Sequence, residues 1–242
     1  MRNERSQILL FGFGKAHDEL AGRIVVLGYR ALRANDVESA LGMLRRPAQP
    51  IRVFVFPVGA PFAKRESDLR SLTDASSAFG LRLIVSGDRP SPPEIAALKR
   101  EGVRFALWKP FHDSELRFVL NMALYHETRS QMRPNPRVPA SLVVRMKSGA
   151  GEKAGMLYNL STTGAFIETP RPNMAGGRIA LMIEFPDGTL AITASVVFSN
   201  VPGNLQRPNL PLGMGAKFVD ADPQHIERIA KYVAERTRAY DL

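Results

Sequence analysis

The chain has 242 residues, of which 45% are hydrophobic, so it is long enough for a sizeable core and too apolar for a disordered protein. The absence of cysteine excludes disulfides, thiol catalysis and zinc–thiolate sites. The net charge of +10 favours anionic partners in general without defining one. The apolar run near the start of the chain is too short for a signal peptide, and no apolar run is long enough to span a membrane. We therefore expect a cytoplasmic protein without membrane insertion.

The first half of the chain alternates short apolar runs with amphipathic segments. Predicted strands cover residues 7–11, 29–34, 51–56, 81–86 and 103–108. Predicted helices cover residues 16–27, 36–44, 66–79, 92–100 and 113 to about 128, with N-caps expected at Asp36, Ser91 and either Asp113 or Ser114. Strands that alternate with helices indicate an α/β fold with a doubly wound parallel sheet.

These five units resemble the response-regulator receiver domain, whose last strand and Lys-Pro-Phe are similar to residues 102–111. The resemblance implies a CheY/flavodoxin-like domain over residues 1–128. The residues that carry out phosphoryl transfer in that family are missing from this chain. Gly-Phe-Gly at 12–14 replaces the acidic residues that hold Mg²⁺, and Pro57 replaces the aspartate that accepts the phosphoryl group. Lys109 is retained without its partners. We therefore expect a pseudo-receiver that is not phosphorylated, holds no metal, and contacts a protein partner or a second copy of itself.

Two arginines four residues apart follow the last predicted helix. Pro134 and Pro136 between Arg133 and Arg137 favour an extended backbone, which places the arginine Cα atoms roughly 12 Å apart. A guanidinium group can fork onto a phosphate or a guanine edge, or stack on a base. This spacing suits two separate parts of one large anion.

A second polar motif, Asn-Leu-Ser-Thr-Thr-Gly, occupies residues 159–164. Asn159 and Ser161 have the spacing of one strand face, or of a strand end that enters a turn. Both side chains can hydrogen-bond a base edge or a phosphate, and Gly164 would allow a flat base close to its backbone. Together the two motifs predict a site for a ligand with phosphates and purine bases.

The second half of the chain is predicted to be antiparallel. Strands are expected over residues 138–147, 156–160, 165–168, 178–185, 190–199 and 212–219. Leu142 and Val144 are expected to point inward. A turn is predicted at 186–188 and a loop at 201–211. Asp222 is the expected N-cap of a final helix whose apolar face packs on the strands.

Arg-x-x-x-Arg followed by Asn-x-Ser-x-x-Gly is similar to the signature of the PilZ domain, and residues 164–167 and 213–219 resemble two of its strands. The resemblance implies a PilZ domain over residues 129–242, built as a six-stranded antiparallel β-barrel with a C-terminal helix. It also implies binding of the bacterial second messenger cyclic di-GMP, with the arginine segment at 129–138 wrapping over the ligand. The implied ligand-binding residues are Arg133, Arg137, Asn159, Ser161 and Gly164, with Gln131, Met132 and Ala165 as weaker candidates.

The resemblance leaves the stoichiometry open, because Met132 stands where many members of the family carry a basic residue that influences how many nucleotides bind. The function expected first is a non-enzymatic cyclic di-GMP effector that signals by interdomain rearrangement or protein–protein contact. The alternative is a nucleotide-independent adaptor in motility or surface-appendage control. A DNA-binding regulator is weaker, since the sequence has no basic stripe interleaved with aromatic residues. The four histidines show no metal-ligand spacing, and no nucleophile–base pair indicates an enzyme.

Overall fold

The computed structural model describes residues 7–45, 51–58, 66–125, 135–149, 151–207 and 209–240. Contacts between residues divide the chain into two compact units, one built mainly from residues 1–127 and the other from residues 128–238. Within the described ranges, every helix is too short or too polar to span a bilayer.

The first unit is a five-stranded parallel sheet flanked by helices. Its strands are β1 (Gln7–Phe11), β2 (Arg30–Ala34), β3 (Ile51–Val58), β4 (Arg82–Gly87) and β5 (Phe105–Trp108). Its helices are α1 (Lys15–Val26), α2 (Val37–Leu44), α3 (Glu66–Phe79), α4 (Pro92–Arg100) and α5 (Asp113–Leu124). The strand order β2-β1-β3-β4-β5 is that of CheY-like folds, which confirms the predicted doubly wound sheet.

The central strands of this sheet are covered on both faces. All five residues of β1 are buried, as expected for a parallel strand between two helical layers. Phe11 of β1 stacks on Phe56 of β3 with ring centroids 5.4 Å apart. The apolar runs seen in the sequence are therefore the core of this unit.

The helix caps were predicted partly correctly. Asp36 caps α2 by accepting a hydrogen bond from the backbone N–H of Ser39 at 2.7 Å. The predicted cap of α5 was wrong, because α5 begins at Asp113 and its N-cap is His112. The carboxylate of Glu115 accepts the backbone N–H of His112 at 2.9 Å, while the carboxylate of Asp113 is bound to Arg23 at 2.6 Å. Asp113 therefore serves a contact between helices instead of a cap.

The second unit is an antiparallel barrel with one helix. Its strands are β6 (Val138–Ser148), β7 (Gly151–Ser161), β8 (Gly164–Glu168), β9 (Arg178–Phe185), β10 (Gly188–Val201), β11 (Asn204–Leu205) and β12 (Gly213–Phe218), followed by α6 (Pro223–Tyr240). The order β10-β12-β8-β7-β6-β9 is closed by a further β9–β10 pairing. This confirms the predicted six-stranded barrel. β11 pairs with the end of β10, so part of the segment predicted as a loop is a short hairpin.

Side chains alternate between the two faces of each strand, and the apolar side chains that point inward fill the barrel. Val144 is fully buried in this core and Leu142 packs against it, as predicted. α6 contributes Ile229 and Val233 to the same core. Asp222 caps α6 by accepting the backbone N–H of Gln224 at 2.8 Å. The apolar face of the last helix is thus used for packing on the barrel.

A β-bulge interrupts β6 soon after the arginine segment. Ser141 has a positive φ of 52°, and the pairing with β7 shifts between Pro139 and Leu142. The carbonyl oxygen of Ala140 accepts a hydrogen bond from the hydroxyl of Tyr232 at 3.0 Å, and that of Pro139 accepts one from Nε of Arg236 at 3.3 Å. Two side chains of α6 therefore hold the start of β6.

Candidate functional site

The polar motif residues lie on the outer face of the barrel wall. Leu160 on β7 and Val138 on β6 belong to the interior core. Because side chains alternate along a strand, Asn159 and Ser161 point to the opposite, outer face, and Arg137 contacts Asn159 there. The pairing of Pro139 with Asn159 brings the start of β6 beside the end of β7.

The two motifs are joined by a direct hydrogen bond. Nη1 of Arg137 donates to Oδ1 of Asn159 at 3.3 Å. Asn159 is 4% exposed and Arg137 is half-buried, so the contact forms at the edge of the barrel wall and not in open solvent. The arrangement places one cation next to a carboxamide on a common surface.

Ser161 stabilises the turn between β7 and β8. Its hydroxyl donates to the carbonyl oxygen of Gly164 at 3.0 Å and lies 3.4 Å from Oγ1 of Thr163. Ser161 is only 1% exposed. Since a hydroxyl that donates once still has acceptor capacity, Ser161 can also receive a hydrogen bond from a ligand that approaches along the turn.

Gly164 is explained by the close approach of β12. A Cβ atom at this position would lie 2.3 Å from the carbonyl oxygen of Ala216 and 3.2 Å from Cα of Lys217. Any larger residue would therefore push β8 and β12 apart. The room that the sequence suggested for a base is taken by a neighbouring strand, and a ligand contact at Gly164 remains a prediction.

Asn135 contacts the second motif, a contact that was not predicted from the sequence. Its Oδ1 accepts a hydrogen bond from Oγ1 of Thr162 at 3.2 Å. This contact ties the arginine segment to the turn of the second motif. Two features of the sequence could have pointed to Asn135. It is the only residue between Pro134 and Pro136, and its side chain can hydrogen-bond.

The structure places only some of the predicted ligand-binding residues on this surface. Arg133, Gln131 and Met132 lie outside the described residues, so the roughly 12 Å spacing of the arginines stays a prediction. Ala165 is fully buried in the interior core. Its methyl group faces away from Asn159 and Ser161, which leaves only its backbone near the outer face.

An aromatic cluster supports the outer face beside Asn159. Phe166 on β8 is the register partner of Asn159 and is fully buried. Its ring lies 5.9 Å from that of Tyr158 and 5.8 Å from that of Phe198. The guanidinium of Arg207 lies 5.7 Å from the centre of the Phe198 ring. This packing supports the barrel wall beside the motif.

The predicted pseudo-receiver residues line a small cavity at the carboxyl ends of the parallel strands. Pro57 and Lys109 border this cavity of about 80 Å³ together with His17 and Ser86. Nε2 of His17 lies 2.7 Å from the carbonyl oxygen of Phe11. No carboxylate is among the described residues that line it, and nowhere in the described ranges do three His, Asp or Glu side chains gather as a metal site. The loss of phosphorylation stays a prediction.

Comparison with known families gives the class of the second unit. Residues 129–235 match the family model described as the PilZ domain. The closed barrel, the C-terminal helix and the match together establish that this part of the chain is a PilZ domain, a non-enzymatic binding domain. The family is associated with the binding of cyclic di-GMP. No curated protein matches the chain.

Several solved structures are similar to parts of the chain. The structure of the Bacillus subtilis inhibitor of motility (MotI/DgrA) is 18% identical with a TM-score of 0.38, covering 47% of this chain and 56% of that one. The chain therefore spans little more than half of that protein's length. The chemotaxis protein CheY4 of Vibrio cholerae is 18% identical with a TM-score of 0.42, covering 50% of this chain and 99% of that one. The receiver domain of an HD domain-containing protein from Pseudomonas fluorescens Pf-5 is 23% identical with a TM-score of 0.43, covering 52% and 91%.

Proposed function

We propose that the chain is a non-enzymatic receptor for cyclic di-GMP. The dinucleotide binds on the outer face of the PilZ barrel through Arg133, Arg137, Asn159, Ser161 and Gly164. The observation that carries the proposal is the hydrogen bond from Nη1 of Arg137 to Oδ1 of Asn159, because it joins the two halves of the family's signature at one surface. A net charge of +10 favours the approach of such an anion.

The chemistry of these side chains suits the ligand. Cyclic di-GMP offers two phosphates and two guanine edges. Arginine binds both kinds of group through its planar fork of donors. The carboxamide of Asn159 and the hydroxyl of Ser161 add neutral donors and acceptors on the same face. The hydrogen bond between Asn135 and Thr162 holds the arginine segment against the turn of the second motif, and such preorganisation lowers the entropic cost of binding.

The signal leaves the site by a change in how the two domains are arranged, or by contact with a protein. The arginine segment leads directly into the part of β6 that Tyr232 and Arg236 hold to α6. Binding of this segment to a nucleotide therefore acts on a strand already fixed to the last helix. The pseudo-receiver serves as the interaction module for a protein partner or a second copy of the chain. A ligand needs only a different affinity for two arrangements to shift their populations.

One observation favours a second candidate, the nucleotide-independent adaptor. Asn159 and Ser161 are almost fully buried, and the hydroxyl of Ser161 is already bound to the turn. The motif can therefore stabilise the β7–β8 hairpin without any ligand. In that case the outer face of the barrel contacts a protein, and cyclic di-GMP has no effect on the chain.

Calorimetric titration of the full chain with cyclic di-GMP distinguishes the two candidates. The receptor predicts micromolar or tighter binding, about −8 kcal/mol or better, with the stoichiometry given by the same titration. The double variant Arg133→Ala/Arg137→Ala should abolish it. Arg145→Ala is a matched control, because Arg145 is an exposed arginine of β6, the strand that follows the arginine segment, and it forms a salt bridge with Glu184 on β9. Absence of both heat and thermal stabilisation at saturating nucleotide would rule out the receptor and direct the search to protein partners of the pseudo-receiver.

A further inference from the structure

The outer face of the barrel carries one more cation beside Gly164. On β12, Met214, Ala216 and Phe218 belong to the interior core, so Lys217 points outward. Lys217 is exposed to solvent. Gly164 is the register partner of Lys217 on one side and of Ser161 on the other. Ser161, Gly164 and Lys217 therefore form one row across three strands.

The close packing of β8 and β12 fixes Lys217 at this place. Its Cα lies only 3.2 Å from the position that a Cβ of Gly164 would occupy. The backbone N–H of Phe218 donates to the carbonyl oxygen of Thr163 at 3.0 Å, which joins the turn of the motif to β12. The glycine of the motif thus brings the lysine backbone next to the proposed ligand surface.

Polar residues continue the row beyond Lys217 on β10 and β9. The next residue in the row is Ser195 on β10. Ser195 is in turn the register partner of Arg178 on β9. The guanidinium of Arg178 forms a salt bridge with Asp220. Within the described part of the chain, Lys217 has no such carboxylate. An exposed ammonium between Gly164 and the hydroxyl-bearing Ser195 is suited to an anion from outside the chain.

We infer that Lys217 binds a phosphate of cyclic di-GMP on the side of the motif opposite Arg137. The inference rests on the proposed function. Asn159 and Ser161 lie between the two cations, since β7 stands between β6 and β8 and β12 adjoins β8. A dinucleotide with two phosphates is then held by an arginine from one side and by a lysine from the other. Lysine acts as a compact point charge, which suits a phosphate oxygen better than a base edge.

The test is calorimetric titration of four full-length proteins with cyclic di-GMP. Lys217→Gln should weaken binding about tenfold, because a hydrogen bond to a charged group is lost. Lys217→Arg keeps the charge and should bind within about twofold of the natural chain. Lys231→Gln on α6 is the control, because it removes the same charge from an exposed lysine elsewhere in the domain. It should leave the affinity unchanged.

The outcomes separate this inference from the proposed function. If the natural chain binds and Lys217→Gln binds equally well, Lys217 has no role and the receptor stands. If the natural chain does not bind, the receptor itself is wrong, and this inference fails with it. A second readout uses the natural chain after reductive ¹³C-methylation of its lysines. The Lys217 signal, identified by its absence in Lys217→Arg, should shift on addition of nucleotide, and an unmoved signal would overturn the inference.

Discussion

Arg137 and Asn159 are 22 residues apart in the chain, and their side chains meet at 3.3 Å on the outer face of the barrel. The contact is made by the protein's own side chains, which hold the two motifs together at the barrel wall. Preorganisation of this kind raises affinity by reducing the entropy lost on association. It also makes Arg137 the residue whose replacement is most informative.

Arg137→Lys should weaken cyclic di-GMP binding about tenfold or more. Lysine keeps the charge but lacks the planar fork that binds a phosphate or a guanine edge through two parallel hydrogen bonds. Calorimetry with Arg145→Lys as the control measures the difference. Equal affinity for Arg137→Lys and the natural chain would show that only charge is needed at this position.

Asn135 and Thr162 should act as a pair. Each of Asn135→Ala and Thr162→Ala removes one neutral hydrogen bond, worth about 1 kcal/mol, and so should weaken binding roughly fivefold. The double variant should lose little more than either single one, because both changes delete the same contact. A double-mutant cycle of binding affinities tests this. Fully additive losses would mean that the two side chains contribute independently.

Gly164→Ala should destabilise the barrel by about 1–3 kcal/mol, as overpacking does in cores. The added Cβ would stand 2.3 Å from the carbonyl oxygen of Ala216, and one of the two strands must move. Thermal unfolding followed by circular dichroism measures the loss. Gly149→Ala is the control, since an added Cβ there meets no atom within 4 Å. An unchanged midpoint for Gly164→Ala would contradict the strand-packing explanation.

Saturating cyclic di-GMP should change the small-angle scattering profile of the natural chain. Under the proposed function, the arginine segment closes on the ligand and thereby biases the arrangement of the two domains. The Arg133→Ala/Arg137→Ala variant should give the same profile with and without nucleotide. Superimposable profiles for the natural chain at saturation would rule out interdomain rearrangement and leave protein contact as the route of the signal.

Much of the architecture was predictable because its signals are local. Alternating apolar runs and helical periodicity predicted the five βα units, and Asp36 and Asp222 marked two helix starts through contacts two or three residues away. The start of α5 was predicted less well. Its Asp113 is bound to Arg23, about 90 residues earlier in the chain, and no local pattern reports that contact.

The sequence by itself determined which residue types stand in the two motifs, the order of the strands and helices along the chain, and the spacing that suits Asn159 and Ser161 to one face of a strand. Only the tertiary structure decided which of these residues meet. The closure of the barrel by β9 and β10, the contact of Arg137 with Asn159, and the place of Lys217 beside Gly164 all depend on strand register. Register is set by packing the whole set of inward-facing side chains at once, so it cannot be read from any single stretch of the chain.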